Sequence, residues 1–106
     1  MEAEDTATAI PAFEAARLSQ GPAFRHHLEL GVLYLAARRF EEAKDSLDRV
    51  SPRHPAYPMA LFKRAQVSVL LREPDRASRI EAARRGADAT TRELIARERL
   101  FQDDRR

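Results

Sequence analysis

From about Ala23 to Ala37 the apolar residues fall on nearly every side of a helical period: Leu28, Leu30, Val32, Leu33, Leu35 and Ala36. A helix this apolar must be covered on more than one face. Arg38-Arg39 interrupt the run, and the pattern then changes. Phe40, Ala43, Leu47 and Val50 fall in line while Glu41, Glu42, Lys44, Asp45, Asp48 and Arg49 lie outside, which predicts an amphipathic helix. Ser51-Pro52 ends it, and Pro55 and Pro58 bracket the next start. A second apolar helix is predicted over residues 59–71, a break at Arg72-Glu73-Pro74, and a more polar helix, RASRIEAARR, ending near Gly86. Before these segments, Pro11 suits the first turn of a helix carrying Phe13, Ala16 and Leu18 and stopped by Gly21-Pro22. After them, Thr90 and Glu93 have the spacing of a capping box for a last helix with Leu94, Ile95, Leu100 and Phe101. No segment reads as a strand.

The cycle of apolar helix, break and polar helix repeats. Sliding the chain by 34 residues places Gly31 on Ala65, Leu33 on Val67, Leu35 on Val69 and Arg38 on Arg72, and then Glu41 on Asp75 and Ala43 on Ala77. Helices packed at roughly 8–10 Å need short side chains where they approach most closely. Gly31 with Ala43, and Ala65 with Ala77, are the expected pairs. The second unit departs from the first at Arg64, Ser68 and Glu81, which stand for Leu30, Tyr34 and Leu47, and Ile80 is placed to take over the inward role.

With Phe24 as position one, Leu30, Gly31, Tyr34, Phe40, Ala43 and Pro55 fall on consensus positions of the tetratricopeptide repeat. The chain resembles that family closely over residues 24–57 and more loosely over 58–88. The resemblance implies an all-α fold of antiparallel helix-hairpin repeats stacked into a short right-handed superhelix. It divides the chain into a disordered tail (1–8), a capping half-repeat helix (9–21), two repeats (22–57 and 58–89), a C-terminal capping helix (90–102) and a tail (103–106). Capping helices are expected because such repeats cannot bury their apolar faces alone. In proteins of this kind the first helix of each repeat lines a concave groove that holds a peptide or helix. The groove positions here are Arg25, Leu28, Val32 and Leu35, then Met59, Phe62, Gln66 and Val69. Such an apolar stripe suits an amphipathic partner helix. The alternative is that these residues are ordinary core. One subfamily grips acidic carboxy-terminal peptides with lysine and asparagine in this groove, but Leu28 and Val32 occupy those places, so that clamp is absent.

Composition changes this picture little. The 34% charged content is high, yet seventeen acids are interleaved with nineteen bases and the net charge is only +2. That is a poor nucleic-acid signature. Arg72, Arg76 and Arg79 could form a basic ridge with Arg84 and Arg85 nearby, but Glu73, Asp75 and Glu81 interrupt it. With no cysteine, thiol catalysis and cysteine-ligated metal are excluded. The acidic start is no signal peptide, and no stretch reaches the roughly 18 apolar residues of a membrane span, so a cytoplasmic protein is expected. His26 with Glu29 has a spacing that could ligate metal, and Ser51 with His54 is the nearest thing to a nucleophile pair, but neither belongs to a motif. No glycine-rich loop could cradle a phosphate. The expectation is a non-enzymatic interaction module without cofactor or small-molecule substrate, binding another protein or peptide. The alternatives are a self-associating structural fragment of a larger machine or enzyme, and, more weakly, a nucleic-acid-associated repeat protein.

Overall fold

A computed structural model describes residues 2–103, with side chains over residues 8–102. Helices α1 (Glu2–Gln20), α2 (His27–Ala36), α3 (Phe40–Asp48), α4 (Tyr57–Leu70), α5 (Arg76–Arg85), α6 (Ala89–Arg97) and α7 (Arg99–Asp103) follow one another, with a 3-10 turn at Gly21–Ala23. Among the described residues there is no strand. The chain forms two units, Met1–Arg49 and Val50–Arg106.

In the first unit, α1 is longer than the pattern predicts. It runs through residues 2–8, read above as a tail, and carries Pro11 in its interior instead of at its start. Met1 lies outside the described residues, as do residues 104–106 at the other expected tail. Gly21, at φ +54°, turns the chain out of α1. Phe24 is thereby buried, edge-on to Phe13 at 6.5 Å.

The α1–α2 contact is polar as well as apolar. Tyr34, 1% exposed, donates its hydroxyl to Glu14 Oε2 at 2.5 Å. Burial first, and then this carboxylate, push the phenol pKa up to about 12. Arg39 lies 4.8 Å over the same ring and forks onto Glu42, at 2.7 Å from Nε and 2.5 Å from Nη2. At the α2–α3 crossing, the nearest neighbour of Gly31 is Leu47, where the repeat pattern suggested Ala43. A Cβ on Gly31 would lie 2.8 Å from both Cγ and Cδ2 of Leu47.

Both hairpins turn in the same way. Arg38 and Arg72 adopt φ +63° and +56°, the only non-glycine residues with positive φ among those described. In the first turn, Arg39 N–H donates to Tyr34 O (2.8 Å) and Arg38 N–H to Leu35 O (3.1 Å). In the second, Glu73 N–H donates to Ser68 O (2.9 Å) and Arg72 N–H to Val69 O (3.1 Å). Each is a Schellman termination, with arginine where glycine is usual. The 34-residue period therefore holds through the turn.

In the second unit the period then slips. The N-cap of α3 is Arg39, whereas that of α5 is Asp75, 36 residues on. Pro74 and Asp75 extend the turn, which the Arg76 guanidinium ties to Glu73 O at 2.9 Å. Ala77 is consequently exposed, and Ile80 and Ala83 point inward. The Ala65–Ala77 pairing is thus replaced by packing of Ala65 with Ile80 and Ala83 in one cluster. Arg64, standing where the first repeat has Leu30, is buried and pairs with Glu73 Oε1 at 2.8 Å. Ser68, in the place of Tyr34, donates its hydroxyl to Ala65 O at 2.7 Å.

The last helix is broken in two. Asp88 caps α6, its carboxylate accepting Thr91 N–H at 2.8 Å. That hydrogen bond holds the Asp88 pKa below the usual carboxylate range. The Thr90–Glu93 capping box is not formed, because the helix starts at Ala89 with Asp88 as its N-cap and Thr90 already lies inside it. Glu98 is extended (φ −78°, ψ 112°) and separates α6 from α7. Ile95 from α6 and Phe101 from α7 then join Phe62, Ala65, Ile80 and Ala83 in the core.

Candidate partner-binding faces

Leu28, Val32 and Leu35 follow steps of four and three on α2, so they share one helical face. All three are half-buried, whereas Leu30, Gly31 and Tyr34 of the same helix are fully buried. Arg25 does not join them. It lies exposed in the irregular segment before α2, because Phe24 turns inward against Phe13 and His27 and the helix starts only at His27.

On α4, Met59, Phe62, Gln66 and Val69 likewise share a face. Their surroundings are different. Phe62 is 4% exposed and meets Phe101 edge-on at 5.8 Å. Gln66 Nε2 donates to Glu98 Oε1. Met59, Val69 and Leu100 pack against the same core cluster. The C-terminal helices of the chain therefore occupy the α4 face. Reading residues 90–102 as one continuous helix conceals this, since the break at Glu98 is what redirects Leu100 and Phe101. The adjacent apolar pair beyond Arg97 was the only sequence signal for it.

Two helix hairpins whose turns recur 34 residues apart, joined to terminal helices, are the signature of one repeat family. A family model described as tetratricopeptide repeat matches residues 1–50 and 28–92. The chain belongs to the tetratricopeptide repeat family. No curated protein and no solved structure matches it. Tetratricopeptide repeats generally mediate protein–protein interactions and are typically non-catalytic.

The remaining candidates in this tetratricopeptide repeat chain take structural places. His26 Nδ1 lies 3.0 Å from Glu29 Oε2, both half-exposed on the surface. Among the described residues no group of three His, Asp or Glu side chains could hold a metal ion. Ser51 Oγ accepts Arg53 N–H at 3.1 Å and His54 Nδ1 accepts Ala56 N–H at 2.9 Å, so the two form loop turns and not a nucleophile pair. His27 packs edge-on to Phe24 at 4.8 Å. Burial, then Arg49 and Arg17, push its pKa below the ordinary histidine value, against a smaller opposing effect from Asp45. In the arginine ridge, Arg79 pairs with Asp75 at 3.1 Å, Arg85 with Glu81 at 3.5 Å, and Arg76 holds the turn. No helix among the described residues is long and apolar enough to cross a membrane.

Proposed function

We propose that the chain is a protein–protein interaction module that holds a peptide or helix of a partner protein on the apolar face of α2. The observation that carries this reading is the half-exposed Leu28–Val32–Leu35 stripe, on a helix whose other side is already saturated by packing. An aliphatic stripe at i, i+4 and i+7 suits the apolar face of an amphipathic helix and offers no charge to grip a carboxylate. The division into two repeats flanked by capping helices is part of this proposal, as is a cytoplasmic site of action. No catalytic step is assigned to any residue.

A photocrosslinking side chain at Val32, introduced in living cells, tests the reading. Protein adducts at Val32 that disappear in Leu28→Glu, with helicity unchanged by circular dichroism, are the expected result. No adducts, or loss of helicity in Leu28→Glu, would identify the stripe as core and remove the support for a binding face.

A further inference from the structure

The segment covering α4 has the chemistry of a ligand. Phe101 places its ring edge against Phe62, Leu100 packs beside it, and Glu98 accepts a hydrogen bond from Gln66. Two of these contacts, those on Phe62 and Gln66, fall on residues that the repeat register directs toward the groove. The corresponding residues of α2, 34 positions earlier, are Leu28 for Phe62 and Val32 for Gln66.

The covering segment is also weakly held by its own structure. α7 has five residues, and an isolated helix that short is not stable in water, so its order comes from docking. Extended backbone at Glu98 uncouples it from α6. Among the described residues its hydrogen bonds back to α6 include the Glu98 N–H to Ile95 O bond (3.1 Å) and an exposed bond from Gln102 Nε2 to Ala96 O (3.0 Å). Its place is therefore set by the contacts of Glu98, Leu100 and Phe101 with the α4 side, and release of those contacts is the local opening that a displaceable segment requires.

We infer that residues 98–103 are an internal occupant of the α4 face. That face accepts a short helical partner segment with an acid followed two and three residues later by Leu and Phe, and α7 must leave for it to bind. The inference rests on the interaction-module reading, yet the two fail separately, since the Val32 crosslink reports α2 and the experiment below reports α4.

The probe is a fluorescently labelled peptide of residues 96–106 added to the full chain. A seat filled in cis lowers apparent affinity by the fraction of time it is occupied. Phe101→Ala is therefore expected to bind the peptide at least about tenfold more tightly than the unmodified chain. Adding Phe62→Ala to that variant is expected to abolish binding. Equal affinity with and without Phe101, or no binding by a Phe101→Ala chain of unchanged helicity, would overturn the inference. Amide hydrogen exchange of the unmodified chain provides a test independent of any variant. Residues 99–103 are expected to exchange at least about a hundredfold faster than the middle of α4, and equal protection would make α7 an integral part of the core. A dimer that Phe101→Ala dissociates would also overturn it, with a second copy as the occupant.

Discussion

Gly31→Ala isolates the α2–α3 crossing because it adds a single carbon. That Cβ would sit 2.8 Å from two carbons of Leu47 and 3.4 Å from its backbone nitrogen. Leu47 is 3% exposed and branches at the contacted Cγ, so its side chain has nowhere to rotate. Overpacking of this kind costs about 1–3 kcal/mol, and the better helix propensity of alanine offsets about 1 kcal/mol of it. With both Leu47 carbons contacted, the upper part of that range applies, and a net loss of about 1–2 kcal/mol is expected. At about 4–8 °C per kcal/mol for a chain near this size, the melting temperature should fall by about 5–15 °C. Gly31→Leu, with three more carbons at the same point, should leave the first unit unfolded. The decisive measurement is the same alanine in a Leu47→Ala background. That change alone costs about 2–5 kcal/mol, but it vacates the space the Cβ needs. Gly31→Ala should then become neutral or stabilising by up to about 1 kcal/mol, a reversal of sign between neighbours in contact. Urea titrations of the four chains give the cycle. Gly86→Ala serves as a control, since its Cβ would meet only the terminal Cδ1 of half-buried Leu61, at 2.7 Å, apart from an ordinary 3.4 Å contact with Ala82 O. It should stay within about 0.5 kcal/mol of the starting chain. A Gly31→Ala variant that melts at or above the original temperature, or one equally destabilised in both Leu47 backgrounds, would refute the crossing.

Arg38→Gly and Arg72→Gly should each raise stability by a few tenths to about 1 kcal/mol, because glycine adopts positive φ without the Cβ penalty. Lower melting temperatures for both would show that arginine contributes something beyond the turn. Lowering the pH should weaken the first unit through His27. Its folded pKa is depressed, so the unfolded chain takes up the proton first. Stability is complete above the ordinary histidine value of about 6.5 and falls as pH drops through it toward the lower folded value. Melting temperatures at pH 7.5 and 5 should differ more for the original chain than for His27→Gln, and equal differences would remove the histidine from the account. The Arg72, Arg76 and Arg79 ridge should show at most feeble DNA or RNA binding that vanishes near physiological salt, because acids pair along it. Submicromolar binding there, lost in the triple Arg→Ser variant, would overturn this expectation.

Periodicity along the chain determined the helical class, both hairpins and the family. These depend on local spacing: the apolar rows of α2 to α5, the breaks at Arg38 and Arg72, and the 34-residue recurrence. The recurrence extends to the hydrogen bonds of the two turns, since each is closed within six residues of sequence. Proportions between elements were another matter. Which residue faces Gly31, and that Ala77 looks outward while Ile80 and Ala83 look inward, depend on where the second helix of each hairpin begins. Two extra residues in a turn shift that start by more than half a helical period, and no pattern of apolar letters marks the shift. Tertiary packing likewise decided the buried Arg64–Glu73 pair, which looks like a defect in the repeat until both partners are placed. The groove faces divide along the same line. Their residues could be chosen from spacing alone, as one helical face is a local property. Whether a face is open or filled depends on where a distant segment lies, and only the fold shows Phe101 against Phe62. The break at Glu98 that puts it there follows from the docking of Leu100 and Phe101 on α4, a gain available only once both elements are assembled.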